Sequence, residues 1–239
     1  MGVLTPARRR GVEILDDPSV DPAVRTRAVG DIIRSNRLLG GLRAALVEIR
    51  AALGDQTASP TLLDVGTGLA DIPSRAASDI RRAGVTLTTI AVDEAPSLLV
   101  AARHRVGHVV CAHALSLPFR SRSVDIVMCS QLLHHFDEAR VRQLIREMNR
   151  VARRAVIVSD LRRSWFAAAG FWLVSFPLGF HRVTRHDGVV SVLRGFVSSE
   201  LEAWIRDETG ATPIVTRRLG FRITARWSPT VTTTQASAA

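Results

Sequence analysis

The sequence predicts an α/β fold, a mainly parallel sheet with helices on both faces and a helical segment in front of it. Three observations predict it. From Thr61 onward, short apolar runs alternate with longer stretches of helical periodicity. The runs are apolar throughout rather than at every second residue, which is how strands read when both faces are covered. Ahead of Thr61, apolar residues recur at three and four with no strand-like run among them.

Taken in order, the helical segment runs from Asp21 to about Leu53 on Val24, Val29, Ile32, Ile33, Leu38, Leu39, Leu42, Leu46 and Ile49. Asp21 before Pro22 reads as an N-cap followed by proline in the first turn. Gly40-Gly41 predicts a break into two helices, and the polar stretch 54–60 separates them from the next part. The expected strands are TLLDV (61–65), TLTTIAV (86–92), HVVCA (108–112), VDIVMCS (124–130) and AVIVSD (155–160), with helices near 71–83, 95–105 and 137–152 between them. Ser198 to Thr209 reads as a helix, and PIVTRRL with FRITARW as a closing antiparallel pair about Leu219-Gly220. The last dozen residues are of low complexity and are expected to be disordered. The domain expectation is a helical cap over 1–56, a core over 57–227 with an apolar insertion at about 161–195, and a tail over 228–239.

The composition excludes several functions. The chain has 239 residues and a formal charge of +10, every one of its 32 basic residues is arginine, and it has neither lysine nor tyrosine. Schiff-base and P-loop lysine chemistry are therefore out. Cys111 and Cys129 are too few and too far apart for a disulfide scaffold or a zinc ribbon. The N-terminus has arginines but no apolar stretch behind them, and Pro6 spoils a myristoylation signal, so the expectation is a cytoplasmic protein. The positive charge splits as +2 over 1–60, +3 over 61–160 and +5 over 161–239. This is an arginine-biased composition rather than the concentrated basic stripe of a nucleic-acid reader, and no specific nucleic-acid partner is expected.

The most informative segment is LLDVGTGLAD, residues 62–71. An apolar strand runs into Asp64, and Gly66-Thr67-Gly68 turns into a helix whose first N–H groups lack intrahelical partners. A dinucleotide fingerprint wants a third small residue where this chain has Asp71, and Asp64 would repel a pyrophosphate. A cationic ligand fits better. The second strand ends in Asp93, followed by Glu94, where a carboxylate can accept both hydroxyls of a ribose.

LLDVGTGLAD, AVDEA, HALSLPF and SVDIVMCSQLLHHF, in this order and spacing, resemble the successive motifs of class I S-adenosylmethionine-dependent methyltransferases. In pattern they are similar to the ubiquinone/menaquinone-biosynthesis and natural-product O-methyltransferase groups. The resemblance covers roughly residues 60–210. It implies a Rossmann-like seven-stranded mixed sheet, mostly parallel with the last strand antiparallel, and S-adenosyl-L-methionine as cofactor. By the same resemblance Asp64, Gly66, Thr67 and Gly68 surround the methionine end, Asp93 holds the ribose and Glu94 flanks the adenine. His113 stands where the family pattern has an aspartate for the adenine amino group, so there it would accept one hydrogen bond or stack. Ala114 would offer a backbone N–H, and Ser130 lies where carbonyls meet the cofactor ammonium. Apart from the resemblance, Arg37, before the Gly40-Gly41 break, reads either as a bidentate partner for the methionine carboxylate or as a plain surface arginine.

His134 and His135 follow the fourth strand. Neighbours on a turn point different ways and no carboxylate is suitably spaced in sequence, so no metal is expected. One histidine packing under a helix and His135 lining the cofactor–acceptor junction are the remaining readings. His186, in His186-Asp187-Gly188, is the second catalytic candidate, against a plain Asp-Gly turn. A histidine is a natural base for a phenol. The apolar stretch 165–180 is too short to span a bilayer and holds Pro177. It reads as a pocket wall, a core helix or an interfacial helix, the basic residues around it allowing weak membrane-surface contact. The expected partner is a small apolar, aromatic acceptor, phenolic or quinol, methylated at oxygen. The alternatives are an RNA methyltransferase and a methyltransferase-like cofactor-binding protein without turnover.

Overall fold

The computed structural model describes residues 5–9, 11–17, 19–54 and 59–230. The expectations for Met1-Gly2, and for the tail beyond residue 230, lie outside them. The seven strands are β1 (Thr61–Val65), β2 (Thr88–Asp93), β3 (His108–Cys111), β4 (Val124–Ser130), β5 (Ala152–Leu161), β6 (Ile214–Arg218) and β7 (Arg222–Trp227). They form one sheet in the order β3-β2-β1-β4-β5-β7-β6. Pairings from β3 through β5 are parallel, whereas β7 runs antiparallel to both β5 and β6. This is the Rossmann-like mixed sheet that the sequence predicts.

Each face is closed by helices whose apolar spacing matches it. On one side, α5 (Glu138–Val151) buries Val141, Leu144, Ile145, Met148 and Val151, a spacing of three and four that makes one stripe. It shares a core with Leu201, Trp204 and Ile205 of α8 (Ser198–Thr209) and with Leu63, Val65, Val127 and Val158 of the strands. On the other side, α3 (Asp71–Arg81) places Ile72, Ala76 and Ile80 against Leu62, Ile126 and Ile157. The short α4 (Pro96–Ala102) brings Ala102 onto Ala91. Strand residues of opposite parity thus enter opposite cores, and the continuous apolar runs follow from this two-sided burial.

The N-terminal helices divide differently from the predicted cap. In α1 (Pro22–Leu38), Asp21 caps the first turn by accepting from Ala23 and Val24 N–H, with Pro22 at the first position. Gly40, at φ +82°, then separates α1 from α2 (Gly41–Leu53). Yet α2 belongs to the sheet: Ala45, Ile49 and Leu53 lie in the core with α3. The roof over the carboxyl ends of β4 and β5 is built instead from α1, residues 11–17, α6 (Trp165–Ser175) and α7 (Arg182–Arg194). His186-Asp187-Gly188, for which a plain turn is one of the two readings, lies inside α7. Gly188 is needed there for packing: a Cβ on it would come within 2.0 Å of the Phe171 ring. Residues 228–230, expected in the tail, are tied down, since Pro229 and Thr230 carbonyls accept from Arg122 and Asn149.

Candidate active site

The carboxyl edge of the sheet carries two adjoining sets of polar groups. The first lies over β1 and β2. Gly66 and Gly68 take left-handed φ values of +69° and +57°, which glycine alone adopts at no steric cost. Gly68 N–H donates to Asp93 Oδ2 at 2.9 Å, and Asp93 Oδ1 accepts from Ala95 N–H. The carboxylate therefore pins both loops and keeps further lone pairs for a ligand. Asp64 is buried. Its Oδ2 accepts from the Thr67 hydroxyl at 2.8 Å, while Oδ1 has no partner. Burial, reinforced by Asp71 and Asp93, pushes its carboxyl up to about 7. Asp71 Oδ2 and Ser130 Oγ are likewise buried without partners. Three orphaned oxygens around one glycine loop call for a ligand rich in donors and positive charge, and an α-ammonium meets that demand.

Around this set, Arg37 is exposed at the end of α1, and its charge falls on Asp71. Glu94 and His113 lie at the β2–β3 edge, with Nε2 of His113 3.8 Å from Glu94. Nδ1 of His113 already accepts from Leu115 N–H. A neutral ring bonded this way has an N–H and its flat face left to offer, and no free acceptor nitrogen. Ala114 follows in the same loop.

The second set lines a cavity of about 260 Å³ over β4, β5 and β7. Leu15, Ile32, Leu161, Phe171 and Val192 form its apolar wall, and His134, His135, Gln131 and Arg222 enter it. His134 is buried, with Nδ1 2.7 Å from Oδ1 of Asp160 at the end of β5. Burial alone would raise Asp160, but the charge and hydrogen bond of His134, with the Leu161 N–H, hold it below the usual carboxylate range. The ionised carboxylate fixes the proton on Nδ1 and leaves Nε2 as the basic nitrogen. His135 also borders the cavity. Burial, with His134 beside it, takes its imidazole down to about 3. The ring is still partly open to solvent, with carboxylate oxygens of Glu13 and Asp16 each 3.9 Å from its Nδ1. His186 stays outside the cavity wall, its Nδ1 2.8 Å from Asp187, whose carboxylate accepts from Ile14 and Leu15 N–H.

Sequence reasoning found no carboxylate near the histidine pair, but the fold supplies one. Glu13, His134 and His135 bring ligand-type atoms within 4.8 Å of one another. Glu13 is committed to Ser191 and to Arg194 at 3.0 Å, so a guanidinium already stands where a metal would gain its charge. The apolar stretch contributes less wall than expected: of α6, Phe171 reaches the cavity, while Phe166, Trp172 and Leu173 face outward. Asp160, Glu13 and Arg222 were not singled out from the sequence. Asp160 had a signal, since it ends a strand at the edge where Asp64 and Asp93 lie. Glu13 and Arg222 had none.

Residues 63–158 match the model of the methyltransferase domain family. Over these residues the chain matches a methyltransferase domain, and its motifs resemble those of the class I S-adenosylmethionine-dependent enzymes. Solved structures agree on the fold. A SAM-dependent methyltransferase from Thermotoga maritima, named a possible histamine N-methyltransferase, superposes with a TM-score of 0.59 at 13% identity, over 87% of this chain and 99% of that one. The magnesium protoporphyrin IX methyltransferase of Synechocystis with bound SAH gives 0.57 at 13% identity, over 90% of each chain. A SAM-dependent methyltransferase from Aquifex aeolicus gives 0.56 at 15%, over 82% and 97%. No curated protein matches in sequence. The methyltransferase uses S-adenosyl-L-methionine, and the orphaned oxygens of Asp64, Asp71 and Ser130 fit its methionine end. Among the described residues no helix is long and apolar enough to cross a membrane.

Proposed function

We propose that the chain O-methylates a small, largely apolar aromatic acceptor, phenolic or quinol, held in the cavity over β4 and β5. The observation that carries this is the pairing of an apolar cavity of about 260 Å³ with a hydrogen-bonded Asp160–His134 couple in its wall. An apolar cavity of about 150 Å³ accommodates a benzene ring, so this one suits a substituted ring or a fused pair. It is a partly open pocket walled by α1, α7 and residues 13–16, a size and shape that favour a small molecule over a polynucleotide.

When bound, the cofactor supplies an electrophilic methyl carbon on a sulfonium. Asp64 and Ser130 would orient its amino-acid end, and Asp93 its ribose, on the β1–β2 side. Phe171, Val192 and Leu161 would hold the acceptor ring and exclude water. Bringing acceptor oxygen and methyl to about 3–3.5 Å in line supplies much of the acceleration. His134 Nε2 would take the hydroxyl proton, with Asp160 steadying the imidazolium that forms. His135 would act as a neutral wall and hydrogen-bond partner, with His186 outside the reacting layer.

The outward face of α6 extends this reading. Phe166, Trp172, Leu173 and Phe176 are exposed, and Arg185 lies 3.6 Å from the Phe176 ring centroid. Such a face suits weak contact with an anionic bilayer, where apolar acceptors concentrate. The deciding experiment incubates purified protein with the cofactor and a panel of phenols, quinols, amines and tRNA, and follows S-adenosylhomocysteine. Product with hydroxylated aromatics is expected. Turnover confined to amines or to tRNA would overturn the proposal.

A further inference from the structure

We infer that Arg222 anchors a carboxylate on the acceptor, so that the substrates are small aromatic acids. The inference rests on the cavity being the acceptor site, as proposed above.

Arg222 opens β7 opposite Leu161 and lines the cavity, yet only 3% of its surface is exposed. Arginine is almost never buried this deeply unless it is paired. Its only hydrogen bond among the described residues is a long one, Nη2 to Asn36 Oδ1 at 3.3 Å, and Nε and Nη1 have no partner. A second buried arginine shows what this protein does when a guanidinium is structural. Arg163, 5% exposed, donates to Pro6 O, Gly195 O and the Glu200 carboxylate at 2.7–3.1 Å. Arg222 has no such set.

The acids around the cavity do not complete it. Both oxygens of Asp187 accept backbone N–H groups of residues 14 and 15. Glu13 is taken by Ser191 and Arg194. Asp16 lies at the rim beside Arg194 and His135. Asp160 is filled by His134 and Leu161 N–H, so it gives Arg222 a favourable field without a hydrogen bond. The guanidinium remains charged, lowered only to about 10 by burial. Its N–H groups therefore await an external acceptor carrying negative charge. The cofactor's own carboxylate is less well placed for this role, because its methionine end would lie over β1 and Ser130 of β4, and β7 is two strand steps beyond β4, about 10 Å at roughly 4.8 Å per step.

The test is calorimetry on protein saturated with S-adenosylhomocysteine, titrated with hydroxybenzoates and hydroxynaphthoates and with their matched carboxamides. The acids are expected to bind at least about tenfold tighter than the amides, as for a charge-assisted hydrogen bond. In Arg222→Met the preference should fall below about twofold. Asn36→Asp, which sets a carboxylate beside Nη2, should remove the preference as well and provides the readout if Arg222→Met does not fold. Equal binding of acid and amide by the unmodified protein overturns the inference and leaves the acceptor site standing. Binding of neither, with S-adenosylhomocysteine bound, overturns the acceptor site itself. A preference undiminished in a folded Arg222→Met assigns the carboxylate to another group.

Discussion

The two halves of the sheet's carboxyl edge are electrostatic opposites. Over β1 and β2, buried oxygens of Asp64, Asp71 and Ser130 lack donors. Over β7, buried N–H groups of Arg222 lack acceptors. Each half is incomplete in the sense that a ligand of one charge completes: an ammonium on one side, an anion on the other. Between them lie β4 and β5, with His134 and Asp160 where the two ligands would meet. A bisubstrate site built this way resists loading either compound in the wrong half, because each half repels the other's ligand.

Breaking the middle should have the largest effect. His134→Ala and Asp160→Asn are expected to cut kcat by about 10²–10⁴-fold, the usual range for a positioned base and its support. S-adenosylhomocysteine affinity should stay within severalfold. Steady-state kinetics on the best phenolic acceptor checks this, and an unchanged kcat in both variants would remove the histidine base from the account. His135→Ala should cost far less, and His186→Ala, outside the cavity, less than about twofold.

Next in size is the cofactor half. Asp64→Asn removes a buried charge that has no full partner in the free protein. It should weaken S-adenosylhomocysteine by about 100-fold, corresponding to roughly 3 kcal/mol for a charged, desolvated hydrogen bond. The same change should raise the Tm of the cofactor-free protein at pH 8 by roughly 2–6 °C, since about 1–2 kcal/mol is recovered in a domain of this size. The pH dependence has a definite sign. With the carboxyl at about 7 in the fold and near its ordinary 3.8 when unfolded, the native chain holds an extra proton between these values. Stability of the free protein from this group is greatest below pH 4 and is lost as pH rises through 7. Cofactor affinity runs the other way, falling up to about tenfold per pH unit below 7 as Asp64 is protonated. Thermal melts and calorimetry from pH 5 to 8 would show opposite slopes.

How much of each half could be read in advance follows from how each is assembled. The cofactor half is local. Asp64, Gly66, Thr67 and Gly68 are one turn, and Asp93 ends the neighbouring strand, so spacing in sequence is spacing in space. The parallel strands were legible because two-sided burial makes them apolar without interruption. The acceptor half draws on Glu13, Asn36, Gln131, His134, Asp160 and Arg222, which only the winding of the chain brings together. Nothing separates Arg222 from the other arginines of the last third until its burial is known. The apolar stretch 165–180 misled in part for a related reason: α6 is apolar around its whole girth, so composition could not say that Phe171 turns inward against Gly188 while Trp172 and Leu173 face out. Gly188→Ala, which drives a methyl into that ring, should cost about 1–3 kcal/mol and reduce acceptor binding more than cofactor binding. Smaller still, Trp172→Ser with Leu173→Ser should weaken co-sedimentation with anionic vesicles without altering turnover of soluble phenols.

The division between the halves is tested most directly by titrating S-adenosylhomocysteine into Asp64→Asn and Asp160→Asn side by side in a calorimeter. Both are buried aspartates at strand ends on the same sheet edge, and both changes are neutral isosteres. Asp64→Asn should lose about 100-fold in affinity, while Asp160→Asn stays within about threefold of the unmodified protein. Equal losses in the two variants, or a greater loss in Asp160→Asn, would contradict the account.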